Sequence, residues 1–294
     1  MTLTSVALIG LGEVGQILAA DLAAAGVADI AAYDILFSDP GSAPARASVP
    51  AKKCGSAGEA VAGRVAVISA VTAASDRAVA ESAAPFMAPG AYFLDLNSVS
   101  PGQKQAAAKI VNDAGGRYVE AAVMTPFAPR RIASPMLLGG PHAADFLDAA
   151  KGLGFSARLF SKYYGQASAT KMCRSVMIKG IEALLAESLL TARHYGVEET
   201  VLASLSDLLP VGDWNKLAAY MISRSLEHGR RRAEEMREVA QTVAEAGIAP
   251  LMTRACVLRQ DWAAHYKVAM NDDLGAMLDA VLAAQNTGKS SHDH

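Results

Sequence analysis

Three groups of residues in this chain have types and spacings suited to chemistry. The first is Gly10-Leu11-Gly12-Glu13-Val14-Gly15, with Asp34 further on. An apolar run leads into these glycines, and an Ala-rich stretch leads out. That is the context in which G-x-G-x-x-G grips the pyrophosphate of a dinucleotide. Gly10 permits the tight turn, Gly12 lets a phosphate approach the backbone, and Gly15 lets a helix pack closely on a strand. The N–H groups that open the helix then face the phosphates. All six residues of the turn are expected at the cofactor. At the end of the second apolar run, the Asp34 carboxylate is placed to accept from the adenosine ribose hydroxyls and to repel a 2′-phosphate. NAD is therefore expected over NADP, and the nearest downstream arginine is Arg46.

The second group is Asp95-Leu96-Asn97-Ser98-Val99-Ser100-Pro101. It ends an apolar run, and Pro101 opens a helix that Ser100 caps. In an open parallel sheet, ligands sit beyond the carboxyl ends of the strands. Asn97 and Ser98 are thus expected to point into the crevice and meet substrate, with Asn97 also at the cofactor. The same expectation places Val71 and Thr72, beyond the run at 65–70, against the cofactor. The third group is Lys171, Ser175 and Lys179, spaced so as to share one helical face. Ala169, Met172, Val176 and Ile178 surround them. Desolvation disfavours an ammonium, and a lysine in such company can relay a proton to or from an alcohol or carbonyl. A plain solvated helix lysine is the competing reading.

These groups need a scaffold, and the chain supplies one. Apolar runs at 4–9, 29–33, 65–70, 91–96, 117–123, 135–139 and 156–160 read as strands, several of them apolar throughout. Helical stretches at 14–25, 75–83, 102–114 and 142–151 alternate with them, and 38–50 reads as a loop. The alternation predicts a parallel, doubly wound sheet of Rossmann type. From 167 to 195 the chain reads as one long helix, broken only by Gly180. Helical patterns continue through 198–208, 213–246 and 252–285, with Pro210 and Gly247 as breaks. The expected organisation is an α/β dinucleotide-binding domain over 1–162 and an all-helical domain over 163–294. Large apolar helix faces in so small a domain predict a homodimer.

Together the three groups resemble the β-hydroxyacid dehydrogenase superfamily, which includes 6-phosphogluconate dehydrogenase. That family pairs a GLGxMG cofactor turn with a D-x-S-T-x-x-P substrate segment and a G-x-G-x-x-x-K-x-x-x-N helix. Here these read Gly10 to Gly15, Asp95 to Pro101, and Gly165-Gln166-Ala167-Ser168-Ala169-Thr170-Lys171 with Ser175 four residues on. A further family segment has its counterpart in Glu120-Ala121-Ala122-Val123-Met124-Thr125-Pro126, followed by Met136-Leu137-Leu138-Gly139-Gly140. The resemblance implies oxidation of a hydroxyl β to a carboxylate, with Lys171 as general base and as general acid in reverse. It also implies that the Ser/Thr segment and Ser175 hold substrate.

The departures from the family pattern lie on the substrate side. Asn97 and Ser98 replace a Ser-Thr pair, and Ser175 replaces an asparagine. Met124-Thr125-Pro126 replaces Ser-Gly-Gly, and Pro126 has no N–H to offer an anion. An altered pocket follows, with Thr125 among its expected substrate contacts. The run Glu227-His228-Gly229-Arg230-Arg231-Arg232-Ala233-Glu234-Glu235-Met236 looks like the helical domain of a poorly characterised branch of this superfamily. His228, Arg231 and Glu235 share a face there. His228 and Arg231 are expected to bind an anionic substrate group, against the alternative of a salt-bridged surface helix. Arg130 and Arg131 are further candidates.

Bulk properties narrow the partners. The chain has 294 residues, is 52% hydrophobic and carries a formal net charge of −2, which points to neither nucleic acid nor an anionic membrane. Cys54, Cys173 and Cys256 lie far apart and form no CxxC, which fits a reducing, cytoplasmic setting. The first apolar run begins almost at Met1, so no signal peptide is expected. No apolar run is long enough for a membrane span. No metal site is expected, and His292 and His294 read as part of a frayed polar tail. Two readings compete with a small-carboxylate dehydrogenase: a semialdehyde or imine reductase on the same scaffold, and a non-catalytic NAD-binding sensor. The retained Lys171 weighs against both.

Overall fold

In the computed structural model, which describes residues 3–208 and 212–289, the chain forms two compact units, Met1–Met172 and Cys173–His294. The first unit is built from β1 (Ser5–Ile9), α1 (Glu13–Ala24), β2 (Asp29–Tyr33), α2 (Ala43–Arg46), β3 (Lys52–Lys53), α3 (Ala57–Val61), β4 (Ala66–Ser69), α4 (Asp76–Ala83), β5 (Tyr92–Asp95), α5 (Pro101–Asp113), β6 (Arg117–Val123), β7 (Met136–Gly139), α6 (Ala143–Ala149) and β8 (Ala157–Ser161). The strands form one eight-stranded sheet in the order β3-β2-β1-β4-β5-β6-β7-β8.

Alternating side chains of each strand feed two separate cores. Val6, Leu8, Ile68 and Leu94 join Leu18 and Leu22 of α1 and Phe146 of α6 on one face. Ala7, Ile9, Val67 and Phe93 join helices α3 to α5 on the other, through Ala60, Ala80 and Ala107. Burial on both faces accounts for the unbroken apolar runs in the sequence. The apolar–helical alternation therefore produces the expected Rossmann-like arrangement, with one departure. β7 runs antiparallel to β6. The connection between them holds only a short 3-10 turn at Arg131–Ala133, and a parallel return needs a crossover, usually a helix. Three small elements, α2, β3 and α3, lie outside the helices and strands read from the sequence, α2 within the stretch read as a loop, and each is too short to carry a periodic signal.

The second unit is helical, within α7 (Gln166–His194), α8 (Glu198–Leu208), α9 (Trp214–Glu245), α10 (Leu251–Ala263) and α11 (Leu274–Lys289). Its core joins Leu185, Leu189, Ile222, Leu226, Met277 and Leu278. α7 runs through Gly180 without a break; a Cβ there would meet nothing within 4 Å, so neither strain nor crowding marks the position. The single pattern read over 252–285 resolves into α10, a 3-10 segment at Ala264–Ala269 and α11. Gly247 does end a helix, with φ +77 just beyond the α9 cap at Ala246. Inside α9, His228 leaves helical geometry (φ −119, ψ 17). Its neighbour Gly229 meets the backbone so closely that a Cβ would lie 2.5 Å from the Gln260 carbonyl. The first unit extends past the boundary read at 162/163, because the opening turns of α7 belong to it. The break read at Pro210 and the tail histidines His292 and His294 lie outside the described residues. Among the described residues, no helix is long and apolar enough to cross a membrane.

Candidate functional site

The turn from β1 into α1 is held by its glycines. Gly10 has φ +92, and a Cβ there would sit 2.4 Å from the Ala70 carbonyl. A Cβ on Gly15 would lie 2.0 Å from the carbonyl of Gly10, so helix and turn touch through backbone. Gly12 differs: nothing lies within 4 Å of where its Cβ would be. It is the N-cap of α1 and makes no side-chain cap hydrogen bond. The opening of the helix is thus bare and approachable, as a pyrophosphate requires. Glu13 is the first residue of α1, and it is solvent-exposed.

Asp34 lies at the carboxyl end of β2, and backbone donors fix its orientation. Leu11 N–H donates to Oδ2 at 2.7 Å and Leu36 N–H to Oδ1 at 2.9 Å. Each oxygen keeps a lone pair for a further donor. A ribose diol beside the glycine turn would meet a carboxylate already aimed.

The strand ends carry a polar cluster that only partly matches expectation. Asn97 is buried at 4% exposure and turns inward instead of facing the crevice. Its Oδ1 accepts from Val71 N–H at 2.7 Å, and its Nδ2 donates to Ser69 Oγ at 2.9 Å and to Asp76 Oδ1 at 2.7 Å. With both donors used, the amide acts on Val71 and the loop after β4 from behind. Beneath it lie four charged or phenolic groups, of which the sequence reading had named only Asp95. Asp95 pairs with Lys104 at 2.9 Å, and both are fully buried. Tyr118 O–H donates to Asp95 Oδ2 at 2.5 Å, and Asn97 N–H donates to Oδ1 at 2.8 Å. Burial first, then the Asp95 charge, pushes the Tyr118 phenol well above its ordinary range. Asp76 completes the cluster with Oδ2 buried and unpartnered. Burial, reinforced by Asp95, raises its carboxyl to about 7, against the opposing pull of Lys104 and Asn97.

Ser98 faces the other way. Lys171 Nζ donates to Ser98 Oγ at 2.5 Å, which joins the residues beyond β5 to the second turn of α7. Thr125 lies on the loop after β6, with its Oγ1 shielded from solvent and without a hydrogen-bond partner. Arg131 is excluded as a free anion ligand, since it adopts φ +55 and its guanidinium grips Asp21 Oδ1 at 2.6 Å.

The remaining candidates lie in the second unit. Lys179 Nζ approaches Ser175 Oγ at 3.4 Å and pairs with Glu235 at 2.6 Å. Arg231 pairs with the other oxygen of Glu235, also at 2.6 Å. The salt-bridged helix is therefore realised for Arg231. His228 lies 3.0 Å from Glu227, and burial with Arg224 and Arg231 holds its imidazole below the ordinary value. That direction works against the imidazolium form that would attract an anion. Arg232 pairs with Glu182 deeper in the unit.

Residues 5–149 match the NAD binding domain of 6-phosphogluconate dehydrogenase, and residues 192–262 match a domain of unknown function, DUF1932. A conserved hypothetical protein from Sinorhizobium meliloti is 36% identical, with a TM-score of 0.75 over 95% of this chain and 97% of that one. A conserved protein of unknown function, described as structurally similar to 3-hydroxyacid dehydrogenases, is 30% identical, with a TM-score of 0.70 over 92% and 99%. The 3-hydroxyisobutyrate dehydrogenase of Mycobacterium tuberculosis shares the fold at 19% identity, with a TM-score of 0.70 over 96% and 99%. The bare glycine turn, the aimed Asp34 and these likenesses agree: the chain belongs to the 3-hydroxyacid dehydrogenase-like superfamily with a 6-phosphogluconate dehydrogenase-type NAD-binding domain, in a branch that carries a DUF1932 domain.

Proposed function

We propose that this protein is an NAD-dependent dehydrogenase of small hydroxy acids, with Lys171 as its general acid and base. The observation that carries the reading is the 2.5 Å contact between Lys171 Nζ and Ser98 Oγ. It sets an amine and a hydroxyl side by side beyond the carboxyl ends of the strands, where ligands of such sheets bind. The bound nicotinamide supplies the hydride acceptor, or the donor in reverse. In oxidation, Lys171 takes the hydroxyl proton as the carbinol C–H leaves as hydride, and in reduction it returns that proton to the carbonyl oxygen. Ser98 fixes the amine before substrate arrives. Thr125 Oγ1 offers a further hydroxyl for a polar acid.

Asp34 underlies the preference for NAD, since a 2′-phosphate would meet its charge. A homodimer through the helical half is part of the same proposal. Met177 and Leu184, seven residues apart on α7, are 63% and 58% exposed, as a buried partner stripe requires.

A panel of 3-hydroxy acids, polyol acids and semialdehydes, followed at the nicotinamide absorbance, tests the reading. Turnover of a hydroxy acid that disappears in Lys171→Ala supports it. Turnover confined to semialdehydes or imines, or full activity in Lys171→Ala, overturns it. Light scattering at micromolar concentration tests the dimer, and a 30.5 kDa monomer removes it.

A further inference from the structure

α7 begins without a local cap. Gly165 accepts the first helical hydrogen bond, from Ala169 N–H at 2.9 Å, and so occupies the N-cap position with no side chain to offer. The missing acceptor comes from the sheet. Glu120, fully buried in β6, takes Gly165 N–H on Oε2 and Ser168 N–H on Oε1, both at 2.6 Å. These are the two donors that a capping box satisfies with two side chains; here one carboxylate takes both. Space for it is kept by Gly139, its partner across the β6–β7 ladder, where a Cβ would lie 2.6 Å from Oε2.

The strand register links this anchor to the lysine. Glu120 stands opposite Asp95 on neighbouring strands, and Ser98 follows Asp95 by three residues. Paired strands therefore hold α7 at two points, Ser168 by its backbone and Lys171 by its amine. Those residues are three apart and lie on one side of the helix. A helix gripped only at Lys171 could rotate about its axis, and the second grip fixes that rotation.

We propose that Glu120 is a positioning residue for Lys171, holding the first turn of α7 in the rotation that sets the amine on Ser98. The proposal rests on the assignment of Lys171 as acid and base. Two variants disturb the anchor differently. Glu120→Gln keeps the shape but turns one acceptor into a donor, facing an N–H. Gly139→Ala keeps the carboxylate but pushes it aside.

In both, the rate of Lys171 acetylation by acetic anhydride, read by mass spectrometry relative to exposed Lys109, should rise several-fold, and the Gly165 and Ser168 amides should exchange faster. With a hydroxy acid that the wild type oxidises, kcat should fall by roughly 10–100-fold, as for misplacement of a reacting group by about 1 Å. NADH affinity should stay unchanged. Wild-type labelling of Lys171 in a folded Glu120→Gln or Gly139→Ala overturns the proposal, as does unchanged kcat while Lys171→Ala is inactive. Full turnover in Lys171→Ala instead removes the acid–base assignment on which it rests.

Discussion

The buried carboxyl of Asp76 makes a measurable demand on stability. Its side chain is 3% exposed, shares its cluster with Asp95, Lys104 and Tyr118, and leaves Oδ2 without a partner. Two carboxyls with one ammonium leave one negative charge unmatched, and burial resolves this by keeping a proton on Asp76. The carboxyl titrates at about 7 in the folded chain and near 3.8 when unfolded. Between those values the folded state binds a proton that the unfolded state has lost, so stability falls as pH rises and levels off above 7. At about 1.36 kcal/mol per pH unit, the span from pH 5 to 7 amounts to about 3 kcal/mol. Asp76→Asn keeps an acceptor for Asn97 and cannot ionise, so it should escape this loss. Its stability relative to wild type should rise by about 3 kcal/mol between pH 5 and pH 8. Both tryptophans, Trp214 and Trp262, lie in the helical unit. The assay is therefore urea titration read by hydrogen exchange of peptides from β4 and β5. Parallel curves for wild type and Asp76→Asn across that range would refute the reasoning.

Three further outcomes are expected. Lys171→Ala should lose roughly 10²–10⁴ in rate while binding NADH normally, and Lys171→Arg should fail too, since a guanidinium keeps its proton; near wild-type turnover in either contradicts this. Titrations should show NADH binding about ten- to a hundredfold tighter than NADPH, from a like-charge contact at Asp34 costing on the order of 1–3 kcal/mol, and equal affinities remove the assignment. Arg232→Ala should destabilise the helical unit by about 3–5 kcal/mol, because it strands the buried Glu182 carboxylate, whereas the exposed Arg77→Ala should cost less than about 1 kcal/mol; thermal melts of the two variants decide.

The cofactor side of the site was legible because its chemistry is local. Turn, approach and packing each demand glycine at a set spacing, and the acid follows one strand later. Lys171 stood out only through its place in a longer motif, since one lysine on a helix has many ordinary uses. Asn97 shows why side-chain direction was not legible. A strand end says that a polar residue lies near the crevice, but Asp76 and Ser69, distant in sequence, decide which way it turns. Glu120 and Lys104 left a trace that was available. A charge within an apolar strand, or on the inner face of an Ala-rich helix, must be paired once buried. What the sequence does not display is the partner, here a helix start and an aspartate brought alongside by strand pairing. The antiparallel β7 was hidden for a related reason: its strand pattern is ordinary, and only the connection before it sets its direction.

The two edges of the sheet share a property. β3, at one end, consists of Lys52 and Lys53. β8, at the other, exposes Leu159 and Phe160, yet Arg158 lies over the Phe160 ring at 5.5 Å and Lys162 over Tyr163 at 5.1 Å. Unpaired strands invite the edge of another chain, and cations on them are a common defence. Joining β3 to β3, β8 to β8 or β3 to β8 would press positive charge against positive charge. Charge at both edges thus guards the sheet against edge-to-edge growth, and the dimer proposed above draws on neither edge.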